Sequence, residues 1–198
     1  MFKVASWNLN SVRSRLTHVT AWLKVREPDV LLLQELKGTE FPSEAFKSLG
    51  YESVAVTQKA YNGVAILSRH PMKAIAKALV GDDSDIHARF LEVIIKDIRV
   101  VNVYAPNGNP IGSEKFAYKL AWMDRLTQQM IRWKQDGVPT LIGGRAAEKR
   151  AVMRCASRRS SPMPLMLKGS IVRVYPLPIC NRTAANNCSA LHDPRSER

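Results

Sequence analysis

Residues 28–37 read PDVLLLQELK. Between a proline and an acid, Val30 to Leu33 stand side by side without polar alternation. That is the pattern of a strand buried on both faces, not of one with a solvated side. Upstream, SVRSRLTHVTAWLKVREP (11–28) repeats Val12, Leu16, Val19 and Leu23 at helical spacing. Ser11 is the expected N-cap of this helix and Pro28 follows its end. FKVAS (2–6) is a short β-rich run before it. The result is a strand, a helix and a strand, most simply two parallel strands joined by a right-handed crossover.

The same alternation continues downstream. PSEAFKSLG (42–50) predicts a short helix capped by Ser43 and stopped at Gly50. YESVAV (51–56), GVAILS (63–68), FLEVII (90–95) and RVVNVYA (99–105) predict strands with turn residues between them. From Ser113 to Gln135, Phe116, Leu120, Met123, Leu126, Met130 and Trp133 recur at the spacing of a long amphipathic helix. VPTLIGG (138–144) closes the series as another buried strand. The class is α/β.

Composition divides the chain at Gly144. The 198 residues carry a formal charge of +13, a balance that favours polyanionic partners, nucleic acid first. Residues 145–198 hold 11 Lys+Arg against 3 Asp+Glu, a net of +8, whereas residues 1–144 net only +5. All tryptophans and phenylalanines precede Gly144, and Tyr175 is the one aromatic after it. Such a segment has little from which to build a core. All three cysteines (Cys155, Cys180, Cys188) also fall after Gly144, and no C-x-x-C occurs. With no apolar leader at the N-terminus and no run near the ~20 residues of a membrane span, a reduced cytoplasmic protein without a membrane partner is expected.

Sites in α/β sheets form beyond the carboxyl ends of strands. There the sequence places Asn8, Glu35, Tyr104, Asn107 and the pair Gly143–Gly144. If the first two strands are parallel neighbours, Asn8 and Glu35 emerge together. A carboxylate beside an amide oxygen suits a hard cation such as magnesium. Each residue also has an ordinary reading. Glu35 fits a cap or a solvated loop acid. Asn8 fits a turn residue, Tyr104 a strand-end aromatic, and Lys37 and Arg89 solvated surface charges.

The order of the motifs adds a further reading. ASWNLNSVRSRL, PDVLLLQELK, YNGVAILSR, RFLEV and VVNVYAPNGNP, followed by KFAYKLAW and LIGG, closely resemble the exonuclease III family of DNA-repair enzymes. That family lies within the endonuclease/exonuclease/phosphatase superfamily, and the resemblance covers residues 1–144. It implies a DNase I-like four-layer α/β sandwich of two mixed sheets, incomplete in this chain. It also implies magnesium-dependent hydrolysis of DNA phosphodiesters, with manganese as a substitute ion. The activities implied are 3′-to-5′ exonuclease action and incision at abasic sites, by a monomer acting on duplex DNA. By the same resemblance, Glu35 is the metal carboxylate, Asn8 its polar partner and Tyr104 the tyrosine beside the scissile phosphate. Asn107, Arg89 and Lys37 are the DNA-contacting residues. A phosphoinositide phosphatase or sphingomyelinase-like relative fits QELK and YNGVAILSR less well.

After LIGG the family continues into Asp-x-Asn, and later into Ser-Asp-His. Here Arg145, Ala146 and Ala147 follow Gly144. Arginine stays protonated, so it cannot replace a catalytic acid. His192 and Asp193 stand in the wrong order for the last motif and read as a solvated tail pair. Residues 145–198 are therefore expected to be a basic, poorly ordered tail of non-family sequence. A frame change near codon 145 accounts for the abrupt shift, and a basic DNA-binding arm is the alternative. At the level of the whole chain, the alternative to an enzyme is a catalytically dead nucleic-acid-binding product. Poor solubility and marginal stability are expected of a sandwich lacking strands.

Overall fold

The computed structural model describes residues 2–145, 165–167 and 170–177. β1 (Phe2–Asn8), α1 (Val12–Arg26) and β2 (Val30–Gln34) form the expected unit, with β1 and β2 parallel from Val4 opposite Val30 to Asn8 opposite Gln34. Ser11 caps α1, its Oγ accepting from Ser14 N at 3.4 Å. α2 (Ser43–Lys47) departs from expectation at its start. Pro42 holds the cap position without a side-chain bond, and Ser43 Oγ instead donates to Phe41 O at 3.4 Å. β3 (Glu52–Val56) and β4 (Val64–Ser68) complete one side of this first sheet, which runs β3-β4-β2-β1.

The second sheet runs β5 (Met72–Ala76), β6 (Phe90–Ile95), β7 (Ile98–Tyr104) and β8 (Thr140–Arg145), with α3 (Glu114–Asp136) between β7 and β8. β7 and β8 are parallel and the other pairs antiparallel. β5 escapes the sequence pattern because MKAIA is an edge strand with mostly exposed side chains and a register shift between Ala74 and Ala76. α3 buries Trp122, Leu126 and Trp133, while Leu120 and Met130 of the expected stripe stay exposed. Trp122, absent from the expected stripe, is buried with Leu126 and Trp133, so the buried stripe is rotated toward it.

Beyond β1 the first sheet continues through β10 (Ser170–Leu177) and β9 (Leu165–Leu167). β10 runs antiparallel to β1, from Phe2 opposite Leu177 to Trp7 opposite Val172. These strands come from MPLMLKG and IVRVYPLPIC, isolated apolar pieces without aromatic interleaving or helical register. Strand pairing is made by main-chain groups, so β10 joins β1 and β9 without the helical register that marks α1 or α3. The cysteines, His192 and Asp193 lie outside the described residues.

Side-chain alternation sorts the core into three seams. Phe2, Val4, Val30, Leu32, Val64 and Ile66 of the first sheet meet Leu91, Val93, Ile95 and Val100 of the second. The opposite face of the first sheet, with Trp7, Leu31, Leu33 and Leu67, packs on Val19, Trp22 and Leu23 of α1 and Phe46 of α2. Phe90, Val101 and Val103 on the outer face of the second sheet pack on Trp122, Leu126 and Trp133 of α3. The architecture is therefore four layers, α/β/β/α, as expected.

One polar bridge crosses the central seam. Fully buried Asn102 donates from Nδ2 to Leu33 O and Ala65 O, both at 2.8 Å, and accepts from Gln34 Nε2 at 2.8 Å. It bonds the second sheet to two strands of the first just below the ends that carry Glu35 and Tyr104. The Gly143–Gly144 pair explains how β8 fits. A Cβ on Gly144 (φ 140°) would collide with the Val103 backbone, and one on Gly143 would meet the Leu32 side chain.

Candidate active site

The carboxyl ends of β1, β2 and β7 converge. Asn8 is the last residue of β1, Glu35 follows β2 directly, and Tyr104 ends β7. Asn8 Nδ2 donates to Glu35 Oε1 at 2.7 Å, and the Tyr104 hydroxyl donates to the same oxygen at 2.9 Å. Lys37 Nζ lies 3.7 Å from Glu35 Oε2 and also donates to Asn10 Oδ1. Arg89 Nη1 donates to Tyr104 O at 3.1 Å, and its guanidinium carbon stands 5.0 Å from the centre of the Tyr104 ring. Five of the six residues expected to form the site thus make one bonded set. Asn107 stands three residues beyond Tyr104, exposed, its Oδ1 accepting from Asn109 Nδ2 at 3.0 Å. No bond joins it to Glu35 among the described residues.

The local backbone explains how Glu35 is held. Glu35 (φ 57°) and Lys37 (φ 52°) both adopt the left-handed conformation, which costs a non-glycine residue roughly 1–3 kcal/mol. Main-chain bonds on both sides impose it. Leu9 N donates to Gln34 O at 2.9 Å, Ser11 N to Glu35 O at 2.8 Å and Val12 N to Leu36 O at 3.0 Å. From the other side, Leu36 N donates to Gly63 O at 3.3 Å, Lys37 N to Asn62 O at 3.1 Å and Gly38 N to Gln58 O at 3.2 Å. Gly63 (φ 91°) must be glycine, since a Cβ there would press on Leu36. The Glu35 turn is fixed before any ligand arrives, which is how backbone strain accompanies functional sites.

Asn8 is buried, and the Glu35 side chain keeps only 19% of its surface. Among the described residues no three His, Cys, Asp or Glu side chains cluster. The available donors are all oxygen, one carboxylate and one amide. Magnesium takes one or two carboxylates and completes its shell with water and substrate phosphate, so this set fits it. Tyr104 and Asn8 orient the carboxylate; Lys37 and Arg89 add positive charge alongside.

β8 brings the chain to the same end. Its residue 145 pairs with Tyr104 in the parallel register, so the backbone after LIGG arrives level with the site. The residue there is arginine. Sequence reasoning missed Asn10, Gln34 and Asn102, which support the site. The signal for the last two was present, as each is a polar residue interrupting an apolar strand, in LLLQ and VVNVY. A second polar cluster, Asp85, His87, Tyr118 and Arg125, carried no sequence signal because its members are scattered over 41 positions.

No helix among the described residues is long and apolar enough to cross a membrane. Comparison with known proteins shows the family and the fold. The profile of the Endonuclease/Exonuclease/phosphatase family matches residues 5–144. Exodeoxyribonuclease III of Haemophilus influenzae is 32% identical over 149 residues, which cover 72% of this chain and 56% of that protein. The solved structure of an AP endonuclease from Archaeoglobus fulgidus superposes with a TM-score of 0.65 at 37% identity, over 73% of this chain and 56% of that one. That of the 3′ phosphatase NExo from Neisseria, bound to product DNA hairpin, gives 0.68 at 35% identity, over 73% and 57%. The chain thus spans little more than half the length of these relatives.

Proposed function

From the premise that the chain belongs to the Endonuclease/Exonuclease/phosphatase family, we propose that it is a metal-dependent DNA phosphodiesterase of the exonuclease III and abasic-site endonuclease type. The observation that carries this reading is the convergence of Asn8 and Tyr104 on one oxygen of Glu35. Three strands from two sheets supply that single point. A structural carboxylate would not need a strained turn held by six main-chain bonds.

Phosphodiester hydrolysis requires positive charge at the non-bridging and leaving oxygens and a base for the attacking water. Glu35 and Asn8 would hold a magnesium ion, with manganese as a substitute; when bound, it supplies Lewis-acid charge at the phosphate. Tyr104 keeps Glu35 turned toward that position and presents its hydroxyl beside the phosphate. Arg89 and Lys37 contact the DNA backbone through charge, and Asn107 through its amide. The partner is duplex DNA, at abasic sites or 3′ ends. The working unit is a monomer and the compartment the cytoplasm.

The water-activating acid is what the sequence does not supply after Gly144, since Arg145 remains a cation. General-base catalysis contributes about 10²–10⁴-fold, so cleavage should fall below that of a full-length relative by roughly that factor. The test is incision of an abasic-site duplex with magnesium and with a chelator, for the chain and for Glu35→Gln. Slow, magnesium-dependent cleavage abolished by the substitution supports the reading. Cleavage that survives the chelator or Glu35→Gln refutes it.

A further inference from the structure

A buried acid outside the Glu35 site holds the loop that delivers Arg89. The Asp85 side chain is only 6% exposed, yet it accepts from four donors. Arg125 Nη2 lies at 2.5 Å, the Tyr118 hydroxyl at 3.0 Å, His87 Nδ1 at 2.9 Å and His87 N at 3.2 Å. Tyr118 and Arg125 are seven residues apart on α3, two turns along one face. Arg125 also reaches Asp82 at 4.0 Å, and its aliphatic stem lies against Gly81. The loop between β5 and β6 is therefore held to α3 at Gly81, Asp82 and Asp85.

The other end of that loop is tied to the support of Glu35. Ala88 N donates to Gln58 Oε1 at 3.0 Å, and Gly63 N donates to Ala88 O at 2.9 Å. Gln58 and Gly63 belong to the same turn that accepts from the backbone after Glu35. Arg89 follows directly, with its N–H on His87 O at 2.8 Å and its carbonyl accepting from Tyr104 N at 2.8 Å. Four donors on one carboxylate exceed what a surface turn needs. Tyr118 and Arg125 both reach Asp85 from α3.

We infer that Asp85 is a positioning residue for DNA binding. It acts through Arg89 by fixing the loop that sets the guanidinium over Tyr104. This rests on the proposed function only in taking Arg89 as a phosphate contact. Asp85 itself touches no DNA. Burial works against its ionisation, but the bonds from Arg125, His87 and Tyr118 together hold its carboxyl below the usual range.

The test is a double-substitution cycle on the full chain. Binding of a fluorescent duplex bearing a tetrahydrofuran abasic analogue is read by anisotropy, in chelator and over a salt series. Asp85→Asn and Arg89→Ala should each weaken binding by about fivefold and lower the salt slope by about 0.9, one phosphate contact. The double variant should match Arg89→Ala alone. Tyr118→Phe removes one donor and leaves the Asp85–Arg125 pair. It should give a smaller loss that also vanishes in the Arg89→Ala background, and it serves if Asp85→Asn does not fold. Factors that multiply, or an unchanged salt slope in Asp85→Asn, overturn the inference. If wild-type chain binds but Arg89→Ala is silent, the inference falls while the family reading stands. If wild-type chain does not bind, the inference and the proposed DNA phosphodiesterase function both fall, while membership of the family is untouched.

Discussion

Replacing Asn102 by leucine should unfold the central seam more readily than its volume change suggests. The side chain is fully buried and makes three hydrogen bonds of 2.8 Å, two donated to Leu33 O and Ala65 O and one accepted from Gln34. A buried hydrogen bond contributes about 1 kcal/mol net, and an orphaned partner costs about 1–3 kcal/mol more. Gln34 retains Ser6 Oγ at 3.2 Å, so it is not wholly orphaned. Leucine recovers about 1 kcal/mol through apolar burial. Three lost bonds and two carbonyls left behind cost about 5 kcal/mol at the low end, so the net loss is about 4 kcal/mol, or roughly 8–16 °C in Tm for a chain of this size. Asn102→Asp should be worse, since a carboxylate would face two carbonyl oxygens with nothing to donate. Gln34 and Asn102 also lie one and two residues before Glu35 and Tyr104, so the leucine variant should weaken manganese binding as well. Calorimetric melting of the three proteins at equal concentration decides it. A shift below 2 °C for leucine, or aspartate tolerated equally well, would show that the bridge stabilises nothing.

The two glycines of LIGG should differ. Gly144→Ala meets immovable backbone at Val103 and should cost about 3 kcal/mol or more, whereas Gly143→Ala displaces one Leu32 methyl and should cost about 1–2 kcal/mol, both read by urea melts. Acid should destabilise the fold through Asp85 and Asp29. Burial opposes ionisation of Asp29, but Lys3 N at 2.7 Å and His70 Nε2 at 2.7 Å together lower its pKa, as the donors on Asp85 do there. Both folded values lie below the unfolded one near 3.9. Their stabilisation is therefore complete above about pH 5 and lost as pH falls through the folded values. Tm should stay level from pH 7 to 5 and drop below 4, with a shallower drop in Asp85→Asn; an equally steep drop there would remove Asp85 from the account. Finally, if a frame change explains residues 145–198, one of the other two reading frames of the coding DNA should encode Asp-x-Asn directly after Gly144. Absence of that motif from both frames would exclude it.

β1 to β4 of the first sheet were legible in the sequence because their apolar runs end at turn residues and the helix after β1 repeats at helical spacing. The long helix from Ser113 was equally plain in position, though not in its buried face. Leu120 and Met130 have the right spacing, but contact with the sheet is decided by Trp122 and Trp133, whose size fixes how α3 rolls. β5 was not legible because an exposed edge strand has no buried side to alternate. Nor were β9 and β10, whose apolar pieces lie isolated among basic residues without helical register.

For the site, the chain by itself determined which residues stand at strand ends: Asn8, Glu35, Tyr104 and Asn107, with Lys37 and Arg89 nearby. Strand termini are marked locally, by where an apolar run stops. Only the tertiary structure decided that Asn8 and Tyr104 share one oxygen of Glu35, that Arg89 lies on Tyr104, and that Asn107 stands apart from the bonded set. Those relations depend on how two sheets are stacked and in what register. Register is set by buried groups distant in sequence, Gln34 against Asn102 and Gly143 against Leu32, and no local pattern records such a pairing.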